Sequence, residues 1–281
     1  MKIKNIVKYA KQGILFSMSK KYILRIYHNR FYRIERTLKV IKKLILKLQD
    51  KKYPSYYKFL PNNLVELDNI KFLKDLFEWK NEPILDDPEY GSNLDNDARR
   101  IIDGQVFGII ICNLKPKGVL EIGTYTGHGT ALISKNAPKG HIFTINILPE
   151  EIISGQGGAI ITEAIPKEKI GEYYREQKLN NITQIYANTA TWEPDIGNID
   201  VAFIDGCHDT EFVYNDTKKV LKIMKSGSFI IWHDFNMDRI LDYDHIDSVC
   251  KGIEKLYAEG SLKGPLFHLK DSWMGIYRVS E

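Results

Sequence analysis

The sequence has few cysteines, no long apolar run and no leader-like start. Its three cysteines, Cys112, Cys207 and Cys250, are far apart and form no C-x-x-C pair, which excludes a disulfide framework and a zinc knuckle. The longest apolar runs, VFGIIIC and FIIW, are too short to span a bilayer. Scattered lysines without a small-residue cleavage site argue against a secretory signal. We therefore expect a cytoplasmic protein.

Acidic residues are almost missing from the first 53 positions. Sixteen lysines and arginines there face only Glu35 and Asp50, a net charge of +14. Because the whole chain carries +4, the remaining residues carry −10. A basic arm of this kind usually meets an anionic partner, whereas an acidic body is a poor nucleic-acid surface.

The basic arm has a helical pattern. Apolar residues recur in steps of three and four at positions 24, 27, 31, 34, 38, 41, 45 and 48, with lysines and arginines between them. Three structures fit this pattern: a coiled coil in a homo-oligomer, a helix lying on the anionic inner face of a membrane, and a helix packed on its own domain. Two prolines within 51–63 indicate a linker, so we predict an extension over 1–63 and a domain over 64–281.

The rest of the chain alternates strand and helix patterns. Residues 64–79 and 95–114 are predicted helices. Seven strands are then predicted, at GVLEIGT, HIFTINI, NITQIYAN, IDVAFID, GSFIIWHD, PLFHL and WMGIYRV. Strands that alternate with helices predict an α/β fold with a Rossmann-like, doubly wound, seven-stranded sheet.

A glycine-rich turn follows the first of these strands. It reads Glu121-Ile-Gly123-Thr-Tyr-Thr-Gly127 and lacks the G-x-G-x-x-G spacing of a dinucleotide-binding loop. A carboxylate is badly placed beside a pyrophosphate but suits a ligand with an ammonium group. S-adenosylmethionine has an ammonium group, a sulfonium and no phosphate, so it is the expected cofactor.

This turn resembles motif I of the class I S-adenosylmethionine-dependent methyltransferases. FIDGCHDTEFVYND and MKSGSFIIWHDF resemble the following strands of their small-molecule and glycan O-methyltransferase branch, and the similarity spans residues 86–280. The resemblance implies cofactor contacts from Glu121, Gly123, Thr124, Gly127, Asn146, Asn188 and Asp205. Asn146 departs from the pattern, because the family usually has an acid there that binds the ribose hydroxyls. Asn can still donate and accept hydrogen bonds.

Four ionisable residues lie at the ends of two adjacent predicted strands: Asp205, His208, His233 and Asp234. In one interpretation His208 or Asp205 is the general base for a substrate hydroxyl, with His233 nearby. In the other, Asp205 and Asp234, with or without His233, hold a Mg²⁺-like ion that binds the substrate oxygens and lowers their pKa. His233 stands where related enzymes have an acid, and an imidazole is a poorer ligand for a hard ion.

The expected function is O-methylation of a hydroxyl on a sugar, glycan or other small metabolite. Two alternatives stay open: an RNA methyltransferase that grips phosphate with the basic arm, and a non-catalytic assembly protein that works through the arm. An amino methylase acting on DNA is not expected, because IDGCH replaces the Asn/Asp-Pro-Pro-aromatic loop of that class.

Overall fold

The computed structural model describes residues 37–46, 49, 52–87, 98–153 and 164–280. The chain divides into two compact units, Met1–Pro54 and Ser55–Glu281. In the first unit, residues 37–46 form a helix, as the heptad pattern predicts for them, while residues 1–36 of the predicted basic arm lie outside the described residues. In the part of the chain that the structure describes, no helix has the length and hydropathy needed to cross a membrane.

The second unit is built on a sheet that has eight strands within the described residues, in the order β1-β7-β8-β6-β5-β2-β3-β4. The strands are β1 (Leu64–Leu67), β2 (Gly118–Ile122), β3 (His141–Asn146), β4 (Ile182–Tyr186), β5 (Ile199–Ile204), β6 (Met224–Trp232), β7 (Leu266–Leu269) and β8 (Gly275–Arg278). β8 runs antiparallel to its neighbours β6 and β7, and the other pairings are parallel. This confirms the predicted Rossmann-like α/β fold, with one strand more than expected.

The additional strand is β1, in a segment that we predicted to be helical. Leu64–Leu67 pairs in parallel with β7 at the edge of the sheet, so the prediction of one helix over 64–79 is wrong at its start. The helix itself begins later, after Asn69, whose side chain accepts hydrogen bonds from the amides of Lys71 and Phe72. Pairing with β7 uses backbone groups that a longer helix would have used itself, and the cap then fixes the helix start.

Helices cover the sheet. They are α1 (Leu60–Asn63), α2 (Ile70–Leu76), α3 (Ala98–Leu114), α4 (His128–Asn136), α5 (Pro149–Ile153), α6 (Glu172–Glu176), α7 (Thr210–Leu221) and α8 (Asp244–Ala258). Every residue of the central strand β2 is buried. The rings of Phe107 on α3 and Phe203 on β5 pack 4.3 Å apart within the core. β2, β5 and β6 are neighbouring parallel strands, so their carboxyl ends lie at one edge of the sheet.

Residues 55–63, which the sequence analysis assigned to the linker, belong to the second unit. The carboxylate of Glu254 on α8 accepts hydrogen bonds from the backbone amides of Lys58, Phe59 and Leu60, at 2.7, 3.0 and 2.7 Å. The hydroxyl of Tyr57 donates to Asp247 on the same helix at 2.8 Å. A carboxylate that accepts three amides anchors the chain firmly, because charge-assisted hydrogen bonds are the stronger kind.

Candidate active site

The glycine-rich turn after β2 lies directly against the end of β5. A side chain at Gly123 would place its Cβ 2.0 Å from the carbonyl oxygen of Asp205, and the φ of Gly123 is +107°. The amide of Asp205 in turn donates to the carbonyl of Ile122 at 2.8 Å. Only glycine fits this position. The contact joins the predicted cofactor turn to the strand end that carries the predicted catalytic residues.

Gly127, the second glycine of the motif, is approached by the chain itself. Its φ is +94°, and a Cβ there would lie 2.9 Å from the Cα of Gly171. The amides of Gly171 and Tyr173 donate to the carbonyls of Tyr125 and Thr126, at 2.8 and 3.0 Å. The segment that leads into α6 therefore covers this part of the turn, and packing alone already requires a glycine at 127.

Glu121 has a neutral, hydroxyl-rich environment. Its side chain is 1% exposed, and Oε2 accepts hydrogen bonds from the hydroxyls of Thr130 and Thr144, both at 2.5 Å. Burial raises the pKa of Glu121 to about 8, although both threonine hydroxyls favour the charged form. The carboxyl is therefore mostly protonated at neutral pH until a cation approaches it.

Asn146 stabilises the same turn from the end of β3. Its Oδ1 accepts the amide of Tyr125 at 3.0 Å, and its Nδ2 donates to the carbonyl of Ile147 at 2.7 Å. Thr124 is buried beneath the turn, 2.7 Å from the hydroxyl of Thr144. After β4, Asn188 is buried and its Oδ1 accepts the amide of Ala190 at 3.0 Å. The side chains of Asn146 and Asn188 thus shape the loops in which the sequence predicts cofactor contacts.

The ends of β5 and β6 bring Asp205, His208, His233 and Asp234 together, as the sequence predicts. His208 Nε2 lies 2.9 Å from Asp234 Oδ2 and 3.6 Å from Asp205 Oδ1. His233 Nδ1 lies 3.3 Å from Asp205 Oδ1 and 3.5 Å from Asp234 Oδ1. Each carboxylate therefore contacts both imidazoles, and we call these four residues the ionic cluster.

Two further residues adjoin the ionic cluster, and sequence reasoning missed both. Asp103 on α3 is buried, accepts the amide of Trp273 at 2.8 Å and places Oδ2 3.5 Å from His233 Nε2. His245 at the start of α8 places Nε2 3.8 Å from Asp234 Oδ1. A lone acid within the apolar pattern IIDGQVFG was the one available signal for Asp103, and His245 in YDHID gave none.

Opposite charges control the protonation of the ionic cluster. Burial disfavours the charged form of His208, but the carboxylates of Asp205 and Asp234 outweigh it and raise the pKa to about 9. The same carboxylates raise the pKa of His233 well above its usual value, again against burial. The pKa of Asp234 is well below its usual range, because the charge of His233 and the contact with His208 overcome burial. The pKa of His208 therefore lies well above the value near 6.5 that is usual for a histidine base.

Three residues of the ionic cluster fit a metal ion. Among the described residues, one ligand atom each from Asp205, His208 and Asp234 lies within 4.8 Å of the others. His208 Nε2 is buried and close to Asp234, yet the contact lacks hydrogen-bond geometry. Two carboxylate oxygens and one imidazole form a plausible donor set for a divalent cation. Of the sequence-predicted residues, Asp205 and Asp234 belong to this set, His208 joins them, and His233 lies outside it.

A family model described as a methyltransferase domain matches residues 120–235. The match begins in β2, contains the glycine-rich turn and ends just past Asp234. The chain therefore contains a methyltransferase domain. The resemblance seen in the sequence is thereby confirmed, and the matched region includes all four residues of the ionic cluster.

Several solved methyltransferases are similar in structure to this chain. A methyltransferase from Podospora anserina with bound S-adenosylhomocysteine has a TM-score of 0.50 at 14% identity, covering 77% of this chain and 99% of that one. An O-methyltransferase from Bacillus cereus in complex with S-adenosylhomocysteine has a TM-score of 0.45 at 15% identity, and the match covers 73% of this chain and 93% of that one. A third structure is an O-methyltransferase from Streptomyces achromogenes, involved in tomaymycin synthesis and in complex with S-adenosylmethionine. It has a TM-score of 0.46 at 13% identity, and the match covers 75% of this chain and 95% of that one. Comparison with curated protein sequences gave no match.

Proposed function

We propose that this methyltransferase transfers its methyl group to a hydroxyl of a sugar, glycan or other small metabolite. The observation that carries the proposal is the contact between the turn at Gly123 and the backbone of Asp205. The glycine-rich turn therefore lies beside a cluster of carboxylates and imidazoles, which are the groups that bind and deprotonate hydroxyls. Solved O-methyltransferases of the same fold are in keeping with this chemistry.

In this proposal the cofactor lies across the ends of β2, β3 and β4. Its ammonium approaches Glu121, its ribose lies at Asn146 and its adenine lies at Asn188, while Thr124 and the two glycines shape the turn. Glu121 then releases its proton, because a cation beside a buried carboxyl favours the charged form. Asp205, whose backbone touches the turn, is the member of the ionic cluster that also borders the cofactor.

The ionic cluster assists loss of the acceptor proton in one of two ways. If a divalent cation binds, Asp205, His208 and Asp234 hold it, and it supplies a lowered pKa for the acceptor hydroxyl. If no cation takes part, His208 first releases its own proton to solvent as the ligands bind, and the neutral imidazole then accepts the proton of the acceptor hydroxyl. In both forms the carboxylates of Asp205 and Asp234 are indispensable.

Two measurements test the proposal. Calorimetry should show micromolar binding of S-adenosylhomocysteine and no binding of NAD. A screen with labelled S-adenosylmethionine over glycans, phenols and RNA, with and without chelator, should show transfer to a hydroxyl compound. Binding of NAD alone would overturn the cofactor assignment. Transfer only to RNA, with a steep salt dependence lost on removing residues 1–53, would replace the small-molecule assignment.

We also propose that the basic arm holds the enzyme at an anionic membrane surface. Its described helix, residues 37–46, exposes Leu38, Ile41 and Ile45, while Lys42 and Lys43 add positive charge. Such a helix buries apolar side chains in the headgroup region while lysines meet phosphate. The full chain should float with anionic vesicles but not neutral ones, and the chain without residues 1–50 with neither. Equal behaviour of the two chains would exclude the proposal, and a concentration-dependent dimer lost with the arm would favour the coiled coil.

A further inference from the structure

Three aromatic residues adjoin the ionic cluster. Tyr243 and His245 lie at the start of α8, and Trp273 lies in the loop between β7 and β8. Their rings form a closed triangle, with centroids 5.6, 5.5 and 5.9 Å apart. His245 Nε2 is 3.8 Å from Asp234 Oδ1, and the His245 ring lies 5.9 Å from that of His208. We call Tyr243, His245 and Trp273 the aromatic wall.

The order of the strands puts the aromatic wall and the glycine-rich turn on opposite sides of the ionic cluster. The turn follows β2, the cluster follows β5 and β6, and β8 and β7 come next in the sheet. Because β6 and β7 both run antiparallel to β8, the loop that carries Trp273 lies at the same edge of the sheet as the cluster. Methyl transfer is an in-line displacement. A hydroxyl at the cluster therefore leaves the rest of the acceptor on the side of the wall, away from the cofactor.

The aromatic wall is accessible to a ligand. Tyr243 and Trp273 are half-buried, and the side chain of His245 is 31% exposed. Two other large aromatic side chains of this region, Trp232 on β6 and Tyr277 on β8, are 0% and 2% exposed and belong to the core. The wall therefore offers an acceptor an aromatic surface, whereas the core aromatics do not.

The backbone of Trp273 is held by hydrogen bonds on both sides. Its amide donates to Asp103 Oδ1 at 2.8 Å, and its carbonyl accepts the amide of Phe235 at 3.1 Å. The other carboxyl oxygen of Asp103 lies 3.5 Å from His233 Nε2. Asp103 thus links the wall to the ionic cluster. A surface that is fixed before binding loses less conformational entropy when a ligand arrives.

The geometry of the aromatic wall suits a puckered ring better than a flat one. Its three rings are tilted by 51–58° to one another, so they form no parallel slot for a planar aromatic acceptor. A pyranose has C–H groups on its faces and hydroxyls around its edge. The negative face of an aromatic ring attracts the C–H groups, and carboxylates and imidazoles bind the hydroxyls.

We propose that the aromatic wall binds the sugar ring of a carbohydrate acceptor, with Trp273 stacked on its C–H face. This inference rests on the proposed function and narrows the acceptor to a pyranoside. The hydroxyl to be methylated then lies at the ionic cluster. Trp273 and Tyr243 are specificity-determining residues in this arrangement, because they hold the acceptor without taking part in the chemistry.

Saturation-transfer NMR on the full chain loaded with S-adenosylhomocysteine tests the contact directly. The probes are methyl pyranosides of gluco, manno and galacto configuration, whose ring C–H protons should receive saturation from the protein's aromatic protons. Trp273→Leu keeps an apolar side chain without a flat face and should lose most of this signal, whereas Trp273→Phe should keep it. Phe72→Ala truncates an aromatic side chain that is 53% exposed on α2, and it should match the wild type.

Steady-state methyl transfer to the preferred pyranoside separates binding from chemistry. Trp273→Leu should raise KM about three- to tenfold with kcat nearly unchanged, because a stack present in both the ground and the transition state contributes uniform binding. Trp273→Phe should restore most of the affinity, which a merely structural role would not predict. If Leu does not fold at this position, Tyr243→Leu takes its place with the same expectation.

The possible results distinguish this inference from the proposed function. Methylation of a pyranoside with a wild-type KM in Trp273→Leu would overturn the stacking contact and leave the proposed function intact. Transfer to catechols and to no pyranoside would also overturn the inference while keeping a hydroxyl acceptor. Transfer to no hydroxyl compound at all would remove the proposed function, and this inference with it.

Discussion

Buried acids in the two halves of the candidate active-site edge have pKa values shifted in opposite directions. In the neutral half, Glu121 near the end of β2 accepts hydrogen bonds from the hydroxyls of Thr130 and Thr144, and burial raises its pKa to about 8. In the charged half, the ionic cluster after β5 and β6, the pKa of Asp234 is well below its usual range. The difference lies in the partners, because hydroxyls stabilise a carboxylate less than imidazolium ions do.

The difference in protonation indicates which kind of ligand each half binds best. A protonated acid among neutral groups gains most from an incoming cation, and the cofactor has an ammonium. A cluster in which carboxylates already hold protons on imidazoles gains most from exchanging those protons for a metal ion or from passing one on. In the proposed function, the same edge of one sheet therefore binds the cationic cofactor in one half and carries out acid–base or metal chemistry in the other.

The largest effect is expected where the two halves touch. Gly123→Ala puts a methyl group into the Asp205 backbone at a positive φ, so it should cost about 3 kcal/mol or more of stability and abolish binding of S-adenosylhomocysteine. Gly197→Ala is the matched control, because no atom lies within 4 Å of its added Cβ. Thermal unfolding and calorimetry check both variants. Normal cofactor binding by Gly123→Ala would mean that the two halves are not mechanically joined.

The charged half should govern turnover without governing cofactor affinity. Asp234→Asn should lower methyl transfer by about 10²–10⁴-fold and leave affinity for S-adenosylhomocysteine nearly unchanged. Asp195→Asn, an exchange of an exposed acid, is the control. A chelator should abolish the wild-type activity if a cation is used, and leave it intact if His208 is the base. An Asp234→Asn enzyme with full activity in chelator would contradict both forms of the proposed chemistry.

Sequence reasoning located the ionic cluster because parallel strands end at a common edge. Asp205 and His208 follow one strand and His233 and Asp234 follow its neighbour, so their proximity follows from topology. Asp103 and His245 reach the same place from α3 and α8, and helix-to-sheet packing leaves no local pattern. Leu64–Leu67 was likewise missed, since a four-residue edge strand is too short for its periodicity to be distinguished from a helix.

The protonation of the site lay beyond sequence reasoning for the same reason. The pKa of His208 depends on two carboxylates within 3.6 Å, and these distances exist only in the folded chain. The neutral state of Glu121 depends on burial that a strand pattern does not quantify. The motif identifies the site residues, whereas the protonation states of His208 and Glu121 follow only from the folded structure.

The neutral half should give the free protein a distinctive pH dependence. The pKa of Glu121 is raised from 4.5 to about 8 on folding, so its contribution to stability is complete below pH 4.5 and is lost as pH rises toward 8. Each pH unit in that window lowers the free energy of unfolding by about 1.4 kcal/mol. Glu121→Gln should remove this part of the slope in urea unfolding between pH 5 and 8. An unchanged slope would show that Glu121 is ionised in the fold. Saturating S-adenosylhomocysteine should flatten the wild-type slope.

The smallest effect is expected from placing a charge in the neutral half at Asn146. Asn146→Asp keeps an acceptor for the amide of Tyr125 but loses the donor to the carbonyl of Ile147. The variant should lose about 1 kcal/mol of stability, measured by urea unfolding, because one hydrogen bond is replaced by a repulsive contact between oxygens. S-adenosylhomocysteine should raise its melting temperature more than that of the wild type, since a carboxylate accepts strongly from the ribose hydroxyls. Asn188→Asp is a suitable comparison, because the Oδ1 contact with the Ala190 amide persists there and no ribose is expected. A ligand-induced shift no larger than that of the wild type would place the ribose away from the end of β3.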